Sequence, residues 1–171
     1  MSHMPVTVAV YRRSSSEPEC ELIAGQLIAK PGGTLEHMNM ERRLLRLLAE
    51  FESRGLGQAM HELSFRHGDE VRIPDVVFFR NDARFEDGIL IDPPLLCVEV
   101  LSPSQRLSEL FAKCETYHVW DVSYCWVIDP VLQAAWEYHA RSPLRSIEDS
   151  ATLRAGEIEI SPAALFHPTD K

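Results

Sequence analysis

The apolar and polar positions change period several times along the chain, and each change marks an element. Leu95-Leu96-Cys97-Val98-Glu99-Val100-Leu101 is an apolar run of strand length, broken only by Glu99 and followed at once by Ser102-Pro103-Ser104. Ser102 and Pro103 suit the cap and first turn of a helix. Leu107, Leu110, Phe111, Cys114, Tyr117 and His118 then recur at helical spacing. Tyr124-Cys125-Trp126-Val127-Ile128 is a second apolar run, closed by Asp129-Pro130, and residues 134–139 are its hairpin partner. The order strand, helix, strand over 95–128 predicts a right-handed crossover, with the Glu99 and Trp126 strands parallel and adjacent or nearly so.

Upstream, residues 6–11 read as a strand weakly tied to the domain, or an arm, before the polar stretch 12–19. Residues 21–29 read as a hairpin turning at Ala24-Gly25 and broken by Pro31-Gly32-Gly33. Thr34 is placed to cap a helix running to about Phe51, with Met38, Leu44, Leu45, Leu48 and Phe51 on its apolar side and Arg42, Arg43 and Arg46 towards the other. Gly55-Leu56-Gly57 ends it. Residues 59–66 and 71–79 read as two strands across the turn His67-Gly68-Asp69-Glu70, and residues 158–160 and 163–166 as a closing strand and helix. The expectation is an α/β chain with a mixed sheet: residues 1–19 as an N-terminal arm or extra strand, and 20–171 as a single domain.

Composition narrows the function. The 171 residues suit one domain, and 45% hydrophobic content supplies a core of ordinary size. A formal charge of -9 counts against strong sequence-independent DNA affinity, which comes from neutralising phosphates. Bound divalent cations reverse the field of a local site, so the balance does not decide the matter. Cys20, Cys97, Cys114 and Cys125 lack paired metal-ligand spacing and read as buried, reduced thiols. No stretch approaches the roughly 20 apolar residues of a membrane span, and no leader is evident, so a soluble cytoplasmic protein is expected.

The candidate chemistry starts at Glu99. A buried, unpaired carboxylate carries a penalty of several kcal/mol, so it calls for a metal ion, a catalytic role or an ion pair. Arg72-Ile73-Pro74-Asp75-Val76-Val77-Phe78-Phe79 repeats the pattern, with Asp75 at the mouth of a second apolar strand, 24 positions before Glu99. Carboxylates are the natural ligands of Mg²⁺ or Mn²⁺, which neutralise charge and activate water in phosphodiester hydrolysis. A lysine ammonium commonly completes such a site, and Lys113 is the candidate. At about 100° per residue it borders the apolar stripe, near Arg106, Glu109 and Tyr117. Plainer roles stand beside these: a strand-end position for Asp75, an ion pair of Glu99 with Arg72 or Arg106, and a surface pair of Lys113 with Glu109.

Ile73-Pro74-Asp75, Val98-Glu99-Val100-Leu101-Ser102-Pro103-Ser104, Lys113 with Tyr117, and Tyr124-Cys125-Trp126-Val127-Ile128-Asp129-Pro130 together resemble the Uma-type restriction endonuclease family, a bacterial branch of the PD-(D/E)XK nuclease superfamily. The resemblance extends to Glu21-Leu22-Ile23-Ala24-Gly25, His37, Gly156-Glu157-Ile158-Glu159-Ile160 and Ala164-Leu165-Phe166, covering roughly residues 20–166. It implies a restriction-endonuclease-like core, a central mixed sheet flanked by helices, often in a homodimer, acting on DNA. It further implies Asp75 and Glu99 as ligands of Mg²⁺ or Mn²⁺ and Lys113 as catalytic lysine. His37, Arg106 and Tyr117 are the candidate substrate contacts. Leu101 departs from the superfamily's usual lysine two residues after the second acid, passing that role to Lys113. Ala24 stands where the family often has an acid, and Glu109 where it usually has aspartate. The rival reading is a catalytically silent nuclease fold used for binding or dimerisation; a hydrolase of RNA or a small phosphoester is a third.

Overall fold

The two apolar runs lie side by side inside a six-stranded sheet. The computed structural model describes residues 5–13, 19–139, 145–147 and 151–167. In chain order its elements are α1 (Val8–Tyr11), β1 (Cys20–Ile23), β2 (Gln26–Ala29), α2 (Leu35–Ser53), β3 (Gln58–His61), β4 (Phe65–His67), β5 (Glu70–Arg72), β6 (Val76–Phe79), β7 (Phe85–Glu86), β8 (Ile89–Leu90), β9 (Leu96–Val100), α3 (Leu107–Val119), β10 (Tyr124–Asp129), β11 (Ala134–His139), β12 (Arg145–Ile147), β13 (Leu153–Ala155), β14 (Ile158–Ile160) and α4 (Pro162–Phe166). One sheet runs β12-β11-β10-β9-β6-β3 and a second runs β2-β1-β5-β4-β8-β7, while β13 and β14 pair separately. The Glu99 strand β9 pairs in parallel with β10, Glu99 beside Val127, as the crossover pattern predicts. On its other edge β9 meets β6 antiparallel, Val76 opposite Val98.

The continuous apolar character of β9 reflects burial on both faces. Leu96, Val98 and Val100 join Leu44, Leu48 and Phe51 of α2 in one core. Cys97 joins Leu110, Cys114 and Tyr117 of α3 in the other. Glu99 has the parity of Cys97 and so points to the α3 side. Complete burial of Leu96, Val98 and Val100, at about 1.5–3 kcal/mol each, is what offsets a carboxylate in the same strand.

Several elements differ from the expectation for local reasons. Residues 8–11 form a helical turn rather than a strand: Thr7 caps it and Val8 is buried, while the Val6 N–H bonds Gly25 O at 2.8 Å. The polar residues 14–18 lie outside the described residues. The expected strands 59–66 and 71–79 each divide in two. The halves nearest the turn, β4 and β5, pair in the second sheet, and the outer halves, β3 and β6, pair in the first. The breaks fall at Glu62, whose φ is 51°, and at Ile73-Pro74, where proline removes a ladder donor. Helix α3 begins at Leu107, not Ser102. The Ser102 backbone N–H and hydroxyl both bond Gln105 Oε1, so Ser102 to Gln105 closes into a turn. On α2, Met38 is exposed, and Met40 takes the core position. Gly57 is required where β3 starts, because a Cβ there would clash with Phe79 O.

Candidate active site

The strand junctions bring Asp75 and Glu99 to one place. The β6/β9 register, extended by a residue, sets Asp75 opposite Glu99, and Asp75 Oδ2 accepts the Val100 N–H at 2.6 Å. Both carboxylates are buried, at 3% and 1% exposure. Glu99 Oε2 accepts from Lys113 Nζ at 3.0 Å, and Glu99 Oε1 from the Tyr117 hydroxyl at 2.6 Å. Lys113 and Tyr117, one helical turn apart on α3, therefore clamp the two oxygens of one carboxylate. Lys113 Nζ also stands 3.7 Å from Glu21 Oε1. Glu21, on β1, accepts the Ile73 N–H at 3.0 Å and pairs with Arg72 at 3.2 Å. Lys113 thus turns away from Glu109, whose carboxylate instead accepts the Arg106 N–H. Arg106 itself is exposed at the start of α3.

On the other side of Asp75, α2 delivers His37 and Glu41. His37 Nε2 is 3.5 Å from Asp75 Oδ1 and 3.3 Å from Glu41 Oε1. Lys30, from the loop after β2, reaches Asp75 Oδ1 at 3.0 Å and Glu62 Oε1 at 3.4 Å. Glu21, Lys30 and Glu41 were missed from sequence as site residues. Glu41 left a signal, an acid one helical turn after His37, and Glu21 lies in a segment that carries the family resemblance, while Lys30 left none.

Burial and charge pull these groups apart in titration. Burial opposes ionisation of Asp75, but the His37 hydrogen bond, the Lys30 ammonium and the Val100 N–H outweigh it and hold the carboxyl at about 2. Burial likewise opposes a charged His37, yet Asp75 and Glu41 raise it to about 9. Glu99 is pushed up, first by burial and then by Asp75 and Glu21, against the pull of Lys113. Lys113 is raised because Glu99 and Glu21 outweigh its own burial. Burial lifts the Cys97 and Cys125 thiols well above their usual range, which leaves them inert.

The donor set fits a divalent ion. His37, Glu41 and Asp75 each offer one ligand atom, all within 4.8 Å of one another. Glu41 Oε1 is buried and meets His37 Nε2 at 3.3 Å without a hydrogen bond of good geometry. Glu21, Glu41, Glu62, Asp75 and Glu99 outnumber Lys30, Arg72, Lys113 and a protonated His37 by one, an excess that a divalent ion displacing the His37 proton would neutralise. A cleft of about 350 Å³ opens beside the cluster, with Lys30, His37, Glu41, Arg42, His61 and Glu62 in its wall. Asp75, Glu99 and Lys113 are not among its lining residues.

The Uma2 family model, whose description reads "Putative restriction endonuclease", matches residues 8–167. The chain is also similar to a crystal structure titled "a putative nuclease belonging to DUF820", from Anabaena variabilis ATCC 29413. The two share 23% identity over 95% of this chain and 98% of that one, with a TM-score of 0.82, a likeness that shows the fold. No curated protein matches the chain.

Proposed function

This chain belongs to the Uma2 family, and from that premise we propose that it is a divalent-metal-dependent endonuclease hydrolysing phosphodiester bonds of DNA. The observation that carries the reading is the buried group of Asp75, Glu99 and Lys113, in which carboxylates outnumber cations beside a cleft. Buried titratable groups pushed in opposite directions are a mark of functional sites.

In this reading Asp75 and Glu99 hold Mg²⁺ or Mn²⁺, with Glu41 and His37 adding donors. The mixed oxygen and imidazole set suits Mn²⁺ at least as well as Mg²⁺. When bound, the ion neutralises charge on the phosphate and lowers the pKa of a water. Lys113 keeps a fixed positive charge against Glu99, and the Tyr117 hydroxyl fixes that carboxylate's orientation from the buried side, so Tyr117 acts through Glu99 rather than on the substrate. This reading assigns DNA contact to His37, in the cleft wall, and to Arg106, exposed at the start of α3. Because the chain is acidic overall, productive DNA contact depends on these local cations and the ion.

The rest of the reading draws on smaller observations. Exposure of all four residues of the edge strand β2 supports assembly into a homodimer. The buried thiols Cys97, Cys114 and Cys125 support a reducing, cytoplasmic location. Among the described residues no helix is long and apolar enough to cross a membrane. A nuclease fold retained for binding is the second reading, favoured by the way Lys113 and Tyr117 already satisfy Glu99. Incubating plasmid DNA with the protein and Mn²⁺ separates the two. Wild type should nick or linearise it and a folded Glu99→Ala variant should not; cleavage undiminished in the variant rejects the assignment.

A further inference from the structure

Lys30 is the cation whose position the sequence least explains. Its backbone N–H is anchored on Glu19 O at 2.8 Å, and its side chain, only 8% exposed, turns inward to Asp75 Oδ1. Asp75 Oδ2 is taken by the Val100 N–H, so Oδ1 is the oxygen facing the cleft wall. An ion held by the donor atoms of His37, Glu41 and Asp75 needs that same region. Glu41 Oε1 is buried and held by no hydrogen bond of good geometry, with His37 Nε2 3.3 Å away, so the wall keeps a carboxylate oxygen open to an ion. An ammonium in contact with Oδ1 and a divalent ion nearby repel each other strongly in so buried a place. Lys30 has somewhere to go: it lines the cleft, whereas Lys113 does not, and Glu62 Oε1 lies 3.4 Å from its nitrogen on that side.

We propose that Lys30 is a counter-ion built into the metal site: a divalent cation arriving at Asp75 drives the Lys30 ammonium into the cleft, where it becomes the contact for a phosphate oxygen of the substrate. Metal and phosphate then bind cooperatively through one side chain. The inference rests on the metal-dependent reading for the nature of the ion and the anion. Coupling of this kind is reciprocal, so each ligand tightens the other by the same factor. Lys30 is a positioning residue for the metal and a direct contact for the phosphate.

The test needs no cleavage assay. Calorimetric titrations of Mn²⁺ alone, and of inorganic phosphate with and without saturating Mn²⁺, are run on wild type, Lys30→Met and Lys30→Gln, each checked for folding by circular dichroism. Both variants should bind Mn²⁺ about tenfold more tightly than wild type. Mn²⁺ should tighten phosphate binding about tenfold in wild type and leave it unchanged in the variants. Mn²⁺ bound by the variants alone is the extreme form of the same result. Equal Mn²⁺ affinity in all three proteins, or a phosphate gain that survives without Lys30, overturns the role of Lys30 while leaving the metal site standing. Mn²⁺ bound by none of them overturns both.

Discussion

Replacing Lys113 with methionine keeps most of the side chain's stem and removes only the ammonium that lies 3.0 Å from Glu99. Glu99, 1% exposed, would keep the Tyr117 hydroxyl, while Asp75 and Glu21 both disfavour its charge. Removing one partner of a buried pair costs about 3–5 kcal/mol. The Lys113 side chain retains 17% exposure and Tyr117 remains, so the loss belongs at the lower end, about 3 kcal/mol. With an m-value of about 1–3 kcal/mol/M, the urea midpoint should fall by about 1–3 M. Protonation of Glu99 caps the loss, so it should be smaller at acid pH than at pH 8. Glu99→Gln alone should cost less, and the double variant should recover most of the deficit, a coupling of about 1–3 kcal/mol. A Lys113→Met variant within about 0.5 kcal/mol of wild type, as expected for a surface lysine, would refute the reasoning.

Four further outcomes follow from individual contacts. Tyr117→Phe removes the 2.6 Å bond to Glu99 and should lower stability by about 1–3 kcal/mol in thermal or urea unfolding. His37 titrates above its ordinary 6.5, near 9. Its stabilisation of the metal-free protein is therefore complete below pH 6.5 and fades as pH rises through 9, so wild-type urea midpoints should fall across that window more than those of His37→Gln. Ala24 has a φ of 48°, next to Gly25 at 75°, the paired left-handed positions of a tight hairpin that asparagine tolerates better than alanine; Ala24→Asn should gain about 1 kcal/mol in urea unfolding. Gly57→Ala places its Cβ against Phe79 O, and unfolding should show a loss of at least about 1–3 kcal/mol.

Much of the centre of the molecule was legible because long apolar runs leave few options. β9, α3, β10 and β11 were readable in order and pairing, and Asp75, Glu99 and Lys113 do come together. Of the second sheet, the β1–β2 hairpin and the turn joining β4 to β5 were legible, but its remaining strands and its separation from the first sheet were not. Strands of two or three residues such as β7 and β8 carry too little periodicity, and the division of one apolar stretch between two sheets depends on Glu62 adopting a left-handed backbone that its residue type does not advertise. The cluster's other members follow the same logic. Glu21 sits in β1, two residues before Ile23, and looks like an ordinary edge acid until Arg72, Ile73 and Lys113 close round it. Lys30 follows an exposed strand and precedes Pro31, a setting that suggests solvent. Glu41 shares the buried face of α2 with Met40 and Leu44, where a hydrophobicity pattern counts it as an exception. Ser102-Pro103 reads as a helix start by composition, but the Gln105 side chain captures the Ser102 N–H and hydroxyl first.

The most direct test of the central claim is a calorimetric titration of Mn²⁺ into wild-type protein, Asp75→Asn and Glu99→Gln. If the buried carboxylates form a divalent-metal site, wild type binds the ion and both variants lose or sharply weaken binding while remaining folded. A wild type that takes up no Mn²⁺, or variants that bind it as well as wild type does, would contradict the account.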